Sequence, residues 1–184
     1  MKKIKRFIKQ LKIMFYYRTR PLAFAKKVGV NMPAEGGVHL YGTIGWGSEP
    51  WCITLGKNVH ITDKVQFVTH DGGTLVYRHL VPDLEITKPI TVGNDVYIGI
   101  RTIILPGVHI GNNVIIGAGS IVTHDIPDNS VAVGVPAKVI KTADEYLEKL
   151  KKESLHLGHL KGEEKDRALK KLFNYEGTSK GIYF

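Results

Sequence analysis

One of the eight histidines stands in a setting that suits proton transfer. His70 is followed directly by Asp71 and by two glycines at 72–73, a composition typical of a loop. An imidazole can take a proton from an attacking hydroxyl or amine near neutral pH, and an adjacent carboxylate can orient the ring. We therefore interpret His70 as a candidate general base with Asp71 as its partner. A surface histidine without a chemical role is the alternative.

The segments that must position His70 repeat every six residues. An aliphatic residue recurs at each sixth position at Val92, Ile98, Ile104, Ile110, Ile116 and Val122. A compact or β-branched residue follows each one four positions later, at Val96, Thr102, Val108, Val114, Ser120 and Ile126. Neither an α-helix nor an ordinary strand has a period of six, whereas hexapeptide β-helices do. The spacing predicts a prism of stacked coils, each closed by three short strands and three corners.

The same register continues upstream with one interruption. Three earlier apolar positions fit it: Leu55, Ile61 and Phe67. It returns at Ile86, but a coil in between would turn positions 73 and 79 inward, where the chain has a glycine and a histidine. We therefore predict that His70 to Glu85 form a loop pushed out of the prism. Loops on a rigid scaffold are where chemistry is usually carried.

The ends of the chain differ from the repeats. Irregular early coils are expected from Val38 to Gly56, and a last extended strand, broken by Gly134 and Pro136, from Ser130 to Ile140. A capping box at 142–145 predicts a helix over 143–155, and a second helix is expected near 166–173. The predicted domains are a basic helical segment at 1–37, a β-helix domain at 38–141 with its loop at 70–85, and a helical appendage at 142–184.

Charge and composition exclude several classes of protein. Residues 1–27 contain ten Lys or Arg and no acid, whereas the other 157 residues contain 16 basic and 17 acidic residues. This nearly neutral body argues against nucleic-acid binding. One cysteine excludes an internal disulfide, and no apolar run reaches the roughly 20 residues of a spanning helix. We expect a cytoplasmic protein.

The basic start of the chain has two interpretations. Within residues 1–20, apolar side chains share one helical face and basic side chains lie opposite. Such a helix either caps the prism or lies on an anionic lipid surface, which would place the protein at the inner face of the membrane. The sequence leaves both open.

Residues 90–141, which begin ITVGNDVYIG and end VGVPAKVIK, resemble the hexapeptide-repeat acyltransferases. The upstream motifs GSEP (47–50), LGKNV (55–59) and VQFVTHDGG (65–73), with VYR at 76–78, are similar to a branch that acetylates capsule and lipopolysaccharide sugars or xenobiotics of the streptogramin and chloramphenicol type. The resemblance implies a mainly β fold, a left-handed parallel β-helix prism with an extruded loop and helices at both ends. It also implies a homotrimer, with acetyl-CoA as co-substrate.

Site residues follow from the resemblance position by position. The catalytic histidine of these enzymes corresponds to His70. The positions that line the cofactor groove correspond to Tyr97, Ile100, Ala118, Thr123 and His124, and the basic pair near the adenosine 3′-phosphate corresponds to Lys138 and Lys141. In the family, position 97 is commonly tryptophan, position 100 is often small, and position 124 is often lysine. Candidate contacts to the acceptor are Glu49, Tyr77 and Arg78.

The implied reaction is direct attack in a ternary complex. His70 removes a proton from a hydroxyl or amine of a sugar or other small acceptor, and that group attacks the thioester without an acyl-enzyme. Two rivals come from other classes. A metal-dependent γ-type carbonic anhydrase needs three histidines, two of them five residues apart, and this spacing is absent from the sequence, so no metal is predicted. A non-catalytic β-helix scaffold remains the other alternative.

Overall fold

The computed structural model describes residues 17, 19–35, 37–178 and 181, and this part of the chain is mainly β. Its strands are short: β1 (Val38–Tyr41), β2 (Ile53–Leu55), β3 (Val59–Thr62), β4 (Gln66–Phe67), β5 (Ile90–Val92), β6 (Val96–Ile98), β7 (Ile103–Ile104), β8 (His109–Ile110), β9 (Val114–Ile116), β10 (Ile121–Val122), β11 (Ser130–Val133) and β12 (Lys138–Thr142). The predicted mainly β class is confirmed.

The strands form three sheets. Sheet I has the order β2-β5-β8, sheet II the order β1-β3-β6-β9-β11-β12, and sheet III the order β10-β7-β4. All pairings are parallel except that of β11 with β12. The chain visits sheets I, II and III in turn, so each coil has corners I–II, II–III and III–I.

Strand register reproduces the repeat read from the sequence. Val92 pairs with Ile110 in sheet I, and the same offset of three hexads joins Ile98 to Ile116 in sheet II and Ile104 to Val122 in sheet III. All twelve positions predicted to point inward are at most 3% exposed. The two hydroxyls among them, from Thr102 and Ser120, both donate to the carbonyl oxygen of Gly117. The regular coils from 92 to 126 thus turn apolar side chains inward, apart from two hydroxyls that have hydrogen-bond partners.

Across the predicted loop the sequence offset between paired strands increases, although the strands still stack in register. Phe67 pairs with Ile104, so this offset is 19 residues longer than the regular coil. In the fully described stretch 68–89, the regular secondary structure is the short helix α2 (Thr74–Tyr77). An antiparallel bridge between His70 and Thr87 closes the base of the loop.

Ile86 does not return to the inward column, contrary to the sequence prediction. Its side chain is 39% exposed, while its carbonyl oxygen accepts the N–H of Asp71 at 2.9 Å. Ile86 therefore belongs to the base of the loop. The inward column resumes at Ile90 and Val92.

Helix α1 (Pro21–Lys27) covers the first coil. Ala25 is fully buried and belongs to the hydrophobic core, and Phe24 and Val28 pack against that core. Most of the predicted helix over residues 1–20 lies outside the described residues. Its capping and lipid-binding interpretations both stay predictions.

The last strand predicted from 130 to 140 is two strands. β11 runs parallel to β9, the chain reverses at Gly134, and β12 returns antiparallel to β11. Gly134 has a φ of +101°, which a glycine adopts without strain. The predicted break at Gly134 is thus the point where the chain reverses between two strands.

Two helices follow the strands, α3 (Ala143–Glu153) and α4 (Gly162–Leu172). The chain divides into two compact units, residues 1–143 and 144–184. No helix among the described residues is long and apolar enough to cross a membrane. The predicted domain boundaries stay predictions.

Close stacking of the corners makes Gly93 a test of the coil geometry. A Cβ at this position would lie 2.7 Å from the carbonyl carbon of Gly111 in the next coil. Gly93→Ala should therefore lower the free energy of unfolding by about 1–3 kcal/mol, because the backbones must move apart. Gly72→Ala is the matched control, since a Cβ built there has no described atom within 4 Å beyond its chain neighbours. Equal urea midpoints for the two variants would contradict this account of the corners.

Candidate active site

His70 lies where the chain leaves the prism at the III–I corner. The bridge to Thr87 fixes its backbone, and its side chain is 37% exposed. The Nδ1 atom of His70 lies 2.8 Å from Oε2 of Glu49. Glu49 belongs to the first coil, where it directly precedes a short 3-10 helix, Pro50–Cys52. A contact between two coils therefore orients the histidine ring.

A second donor holds the same carboxylate oxygen. The hydroxyl of Thr69, a fully buried residue, donates to Oε2 of Glu49 at 2.6 Å. The hydrogen bond from Thr69, followed by that from His70, lowers the pKa of the Glu49 carboxyl below its ordinary value. Glu49 is therefore ionised near neutral pH.

This arrangement settles which ring nitrogen carries the proton. An ionised carboxylate only accepts hydrogen bonds, so the neutral imidazole must donate from Nδ1. Its Nε2 atom then carries the lone pair and can accept a proton from another group. The contact with Glu49 thus leaves Nε2 as the nitrogen of His70 on which the predicted proton transfer would take place.

Asp71 does not orient the ring, and the sequence prediction is corrected on this point. Its Oδ1 atom accepts the backbone N–H of Gly73 at 2.8 Å, which stabilises the turn that leads into α2. Glu49 occupies the role instead. From the sequence, Glu49 is assigned to the acceptor instead. A contact between residues 21 positions apart leaves no local spacing signal, so the pairing of Glu49 with His70 could not be predicted from the sequence. The GSEP motif was the signal that Glu49 belonged to the site.

Of the two predicted acceptor contacts on the loop, Arg78 is bonded within the loop and Tyr77 is exposed. Arg78 donates from Nε to the carbonyl oxygen of Leu84 at 3.1 Å and forms an ion pair with Glu85. Its guanidinium therefore helps to close the loop. Tyr77 is 57% exposed.

Some of the predicted cofactor positions share the prism edge of His70. Thr123 and His124 lie at the III–I corner, where the threonine hydroxyl and the histidine Nδ1 are 2.8 Å apart. Together with Asp125 and residues 106–108 they line a shallow cavity of about 460 Å³.

Other predicted cofactor positions lie elsewhere on the prism. Ile100 and Ala118 occupy the II–III corner in successive coils, and Tyr97 points outward from β6 of sheet II. Ile100 and Tyr97 are each 43% exposed. Lys138 and Lys141 lie on β12, at the edge of sheet II. Sheet III separates this group from His70, so one chain does not bring the predicted site residues together.

Comparison with known proteins matches one segment of this chain to a family of transferases. Residues 89–124 match the model described as bacterial transferase hexapeptide (six repeats). Protein CapG of Staphylococcus aureus is 48% identical over 105 residues, which cover 57% of this chain and 61% of that protein. Galactoside O-acetyltransferase of Escherichia coli K12 is 47% identical over 94 residues, which cover 50% of this chain and 45% of that protein. The chain thus spans about half of the length of these curated relatives.

Two solved structures share the fold over a longer stretch. A maltose O-acetyltransferase from Clostridium difficile 630 superposes with a TM-score of 0.54 at 28% identity, covering 74% of this chain and 84% of that chain. A galactoside acetyltransferase in complex with coenzyme A gives a TM-score of 0.53 at 29% identity, covering 77% and 82%. The chain therefore carries the repeats of the bacterial hexapeptide transferases and shares its fold with sugar acetyltransferases of known structure.

Proposed function

We propose that this protein is an acetyl-CoA-dependent acetyltransferase that moves an acetyl group to a hydroxyl, or an amine, of a sugar in surface polysaccharide biosynthesis. The observation that carries the proposal is His70, which lies at the root of a loop on a hexapeptide prism and contacts Glu49 through Nδ1, so that Nε2 is left for the acceptor. The two solved relatives named as maltose and galactoside acetyltransferases support the sugar acceptor, and the bound coenzyme A of the second supports the donor.

The chemistry assigned to His70 is general base catalysis. Nε2 takes the proton of the acceptor hydroxyl as its oxygen attacks the carbonyl carbon of the thioester. The tetrahedral intermediate then collapses, the carbon–sulfur bond breaks, and the thiolate of coenzyme A leaves and is protonated by the imidazolium. Glu49 stabilises that imidazolium through Nδ1, as the carboxylate does in a catalytic triad. No residue becomes acylated.

Coenzyme A is assigned to the predicted cofactor positions. The small residues at 117–119 let a pantetheine chain approach the backbone at the II–III corner, and Tyr97 and Ile100 offer exposed apolar surface beside it. Lys138 and Lys141 supply positive charge for the adenosine 3′-phosphate. We infer that the prism is left-handed, as the resemblance to the family implies.

The separation of the two groups of residues supports a homotrimer. His70, Thr123 and His124 lie at the III–I corner, and Ile100 and Ala118 at the II–III corner. A groove that contains both groups forms when the III–I corner of one copy faces the II–III corner of another. Three such grooves close a trimer, which is a common symmetry for soluble oligomers.

The loop is assigned to the acceptor. It begins at His70 and presents Tyr77 and the apolar side chains of Leu75 and Leu80, which are 57%, 63% and 68% exposed. Arg78 shapes this segment through its bonds to Leu84 and Glu85. Acceptor specificity would then depend on the loop, whereas donor specificity depends on the coils.

His70→Ala tests the assigned base. Its kcat should fall by roughly 10²–10⁴-fold, because the proton acceptor is lost. Affinity for acetyl-CoA and the oligomeric state should stay unchanged, because these depend on the coils. Thiol release from acetyl-CoA, measured against a panel of glycosides and nucleotide sugars, provides the assay.

His79→Ala is the matched control for this variant. His79 is an exposed histidine of the same loop, and its Nδ1 contacts the carbonyl oxygen of Val76 at 2.8 Å. This variant should retain wild-type kcat. If His70→Ala also keeps most of its activity toward a hydroxyl acceptor, the assignment of the base is wrong.

Mixed assemblies test the groove between copies. His70→Ala and Ala118→Trp should each be inactive as homo-oligomers, the first without a base and the second with a blocked cofactor groove. Co-expressed at equal levels, they should recover about one quarter of wild-type activity, since random symmetric assembly gives that share of grooves with both native residues. Mixed oligomers without any recovery would place the whole groove within one chain.

A further inference from the structure

A buried threonine beside the candidate base has no role in the mechanism so far. Thr69 is fully buried, and its hydroxyl donates to Oε2 of Glu49 at 2.6 Å. His70 donates to the same oxygen at 2.8 Å. One carboxylate oxygen therefore links the threonine hydroxyl to the histidine ring.

The position of Thr69 is fixed from two sides. Its carbonyl oxygen accepts the N–H of Lys88 at 2.9 Å, which closes the base of the loop. A Cβ built on Gly47, in the coil above, would lie 2.9 Å from the threonine hydroxyl oxygen. Gly47 has a φ of +69°, so the chain passes close to Thr69 at a point that favours glycine. The hydroxyl has little room to move.

Glu49 needs such an anchor. Its side chain is 25% exposed, and it approaches His70 from a coil that is 21 residues earlier in the chain. A glutamate side chain has three rotatable bonds, and a carboxylate at a water-exposed position gains hydration when it turns outward. A second hydrogen bond from a buried donor opposes that rotation.

We propose that Thr69 is a positioning residue that holds the Glu49 carboxylate against Nδ1 of His70, and thereby keeps the imidazole in the tautomer with a free Nε2. Thr69 does not touch the reacting atoms. It acts through Glu49, as outer partners act on a ligating or catalytic histidine by fixing its tautomer and orientation. The catalytic relevance of this tautomer rests on the proposed function, but its existence does not.

The chain offers a closely matched pair of variants. Thr69→Val keeps the shape of the side chain and removes the hydroxyl. Thr87→Val makes the same change at the residue bridged to His70, where the hydroxyl donates to Glu85 at 2.9 Å. The two substitutions alter the same loop base, but only the first removes a donor from Glu49. Thr69→Ser restores the hydroxyl.

Nitrogen NMR of the full chain, labelled with ¹⁵N-histidine, reads the tautomer without any acceptor. His70→Asn identifies the signals of His70. At neutral pH, wild type, Thr87→Val and Thr69→Ser should show a protonated Nδ1 and an unprotonated Nε2. Thr69→Val should show averaging between the two tautomers. A signal unchanged in Thr69→Val overturns the proposal.

Activity supplies the second measurement. Thr69→Val should lower kcat roughly 10-fold, at an unchanged KM for acetyl-CoA, as expected for one hydrogen bond to a charged group. Thr87→Val and Thr69→Ser should retain wild-type kcat. The assay is thiol release from acetyl-CoA with a galactoside as the acceptor.

The two readouts separate the two hypotheses. Absence of thiol release from the wild type would count against the proposed function, while the NMR result would still decide the role of Thr69. If Thr69→Val does not fold, Thr69→Ala carries the same test, since it also removes the hydroxyl. A tautomer in Thr69→Ala that matches that of wild type would overturn the proposal.

Discussion

Each coil of this prism can bury its apolar face only against the neighbouring coils, and the rest of the structure follows from that constraint. A slip of one residue in any strand would turn its inward side chains to solvent. Ile98 and Ile116, which are fully buried partners in adjacent coils, show the strict register that results. An interruption is tolerated only if the register resumes where it stopped. The loop after Phe67 meets this condition, because its two ends return to the same corner.

The candidate site depends on the same stacking. Glu49 and His70 are on successive coils. Their side chains can form a hydrogen bond only when the strands of those coils pair in the correct register. The carboxylate has a pKa lowered by its bonds to Thr69 and His70, so its ionised form is stabilised by folding. That contribution is fully present above the ordinary carboxyl pKa and is lost as pH falls through the lowered value. The contact that orients the base thus also ties the first coil to the loop in the neutral range.

The sequence predicted the prism better than it predicted the site. Periodicity identified every inward position from 92 to 126, because burial imposes the same requirement on each coil. It failed at Ile86, where a local antiparallel bridge replaces the repeat. At the candidate site, adjacency in the sequence suggests Asp71 as the carboxylate that orients His70, whereas the structure has Glu49 in that place. Neighbouring side chains in extended structure point to opposite sides, whereas stacked coils bring distant residues together.

Exposure to water also affects the strength of the hydrogen bond between Glu49 and His70. In a single chain the His70 side chain is 37% exposed, and water there competes with Glu49 for the ring. A groove closed by a second copy would exclude that water, which strengthens the carboxylate–imidazole hydrogen bond and the attraction between Glu49 and the imidazolium formed during transfer. Assembly and base strength would then be coupled. The edges of the prism would then have two effects on the candidate base: one coil supplies the carboxylate that orients His70, and the edge of a second copy would exclude water from it.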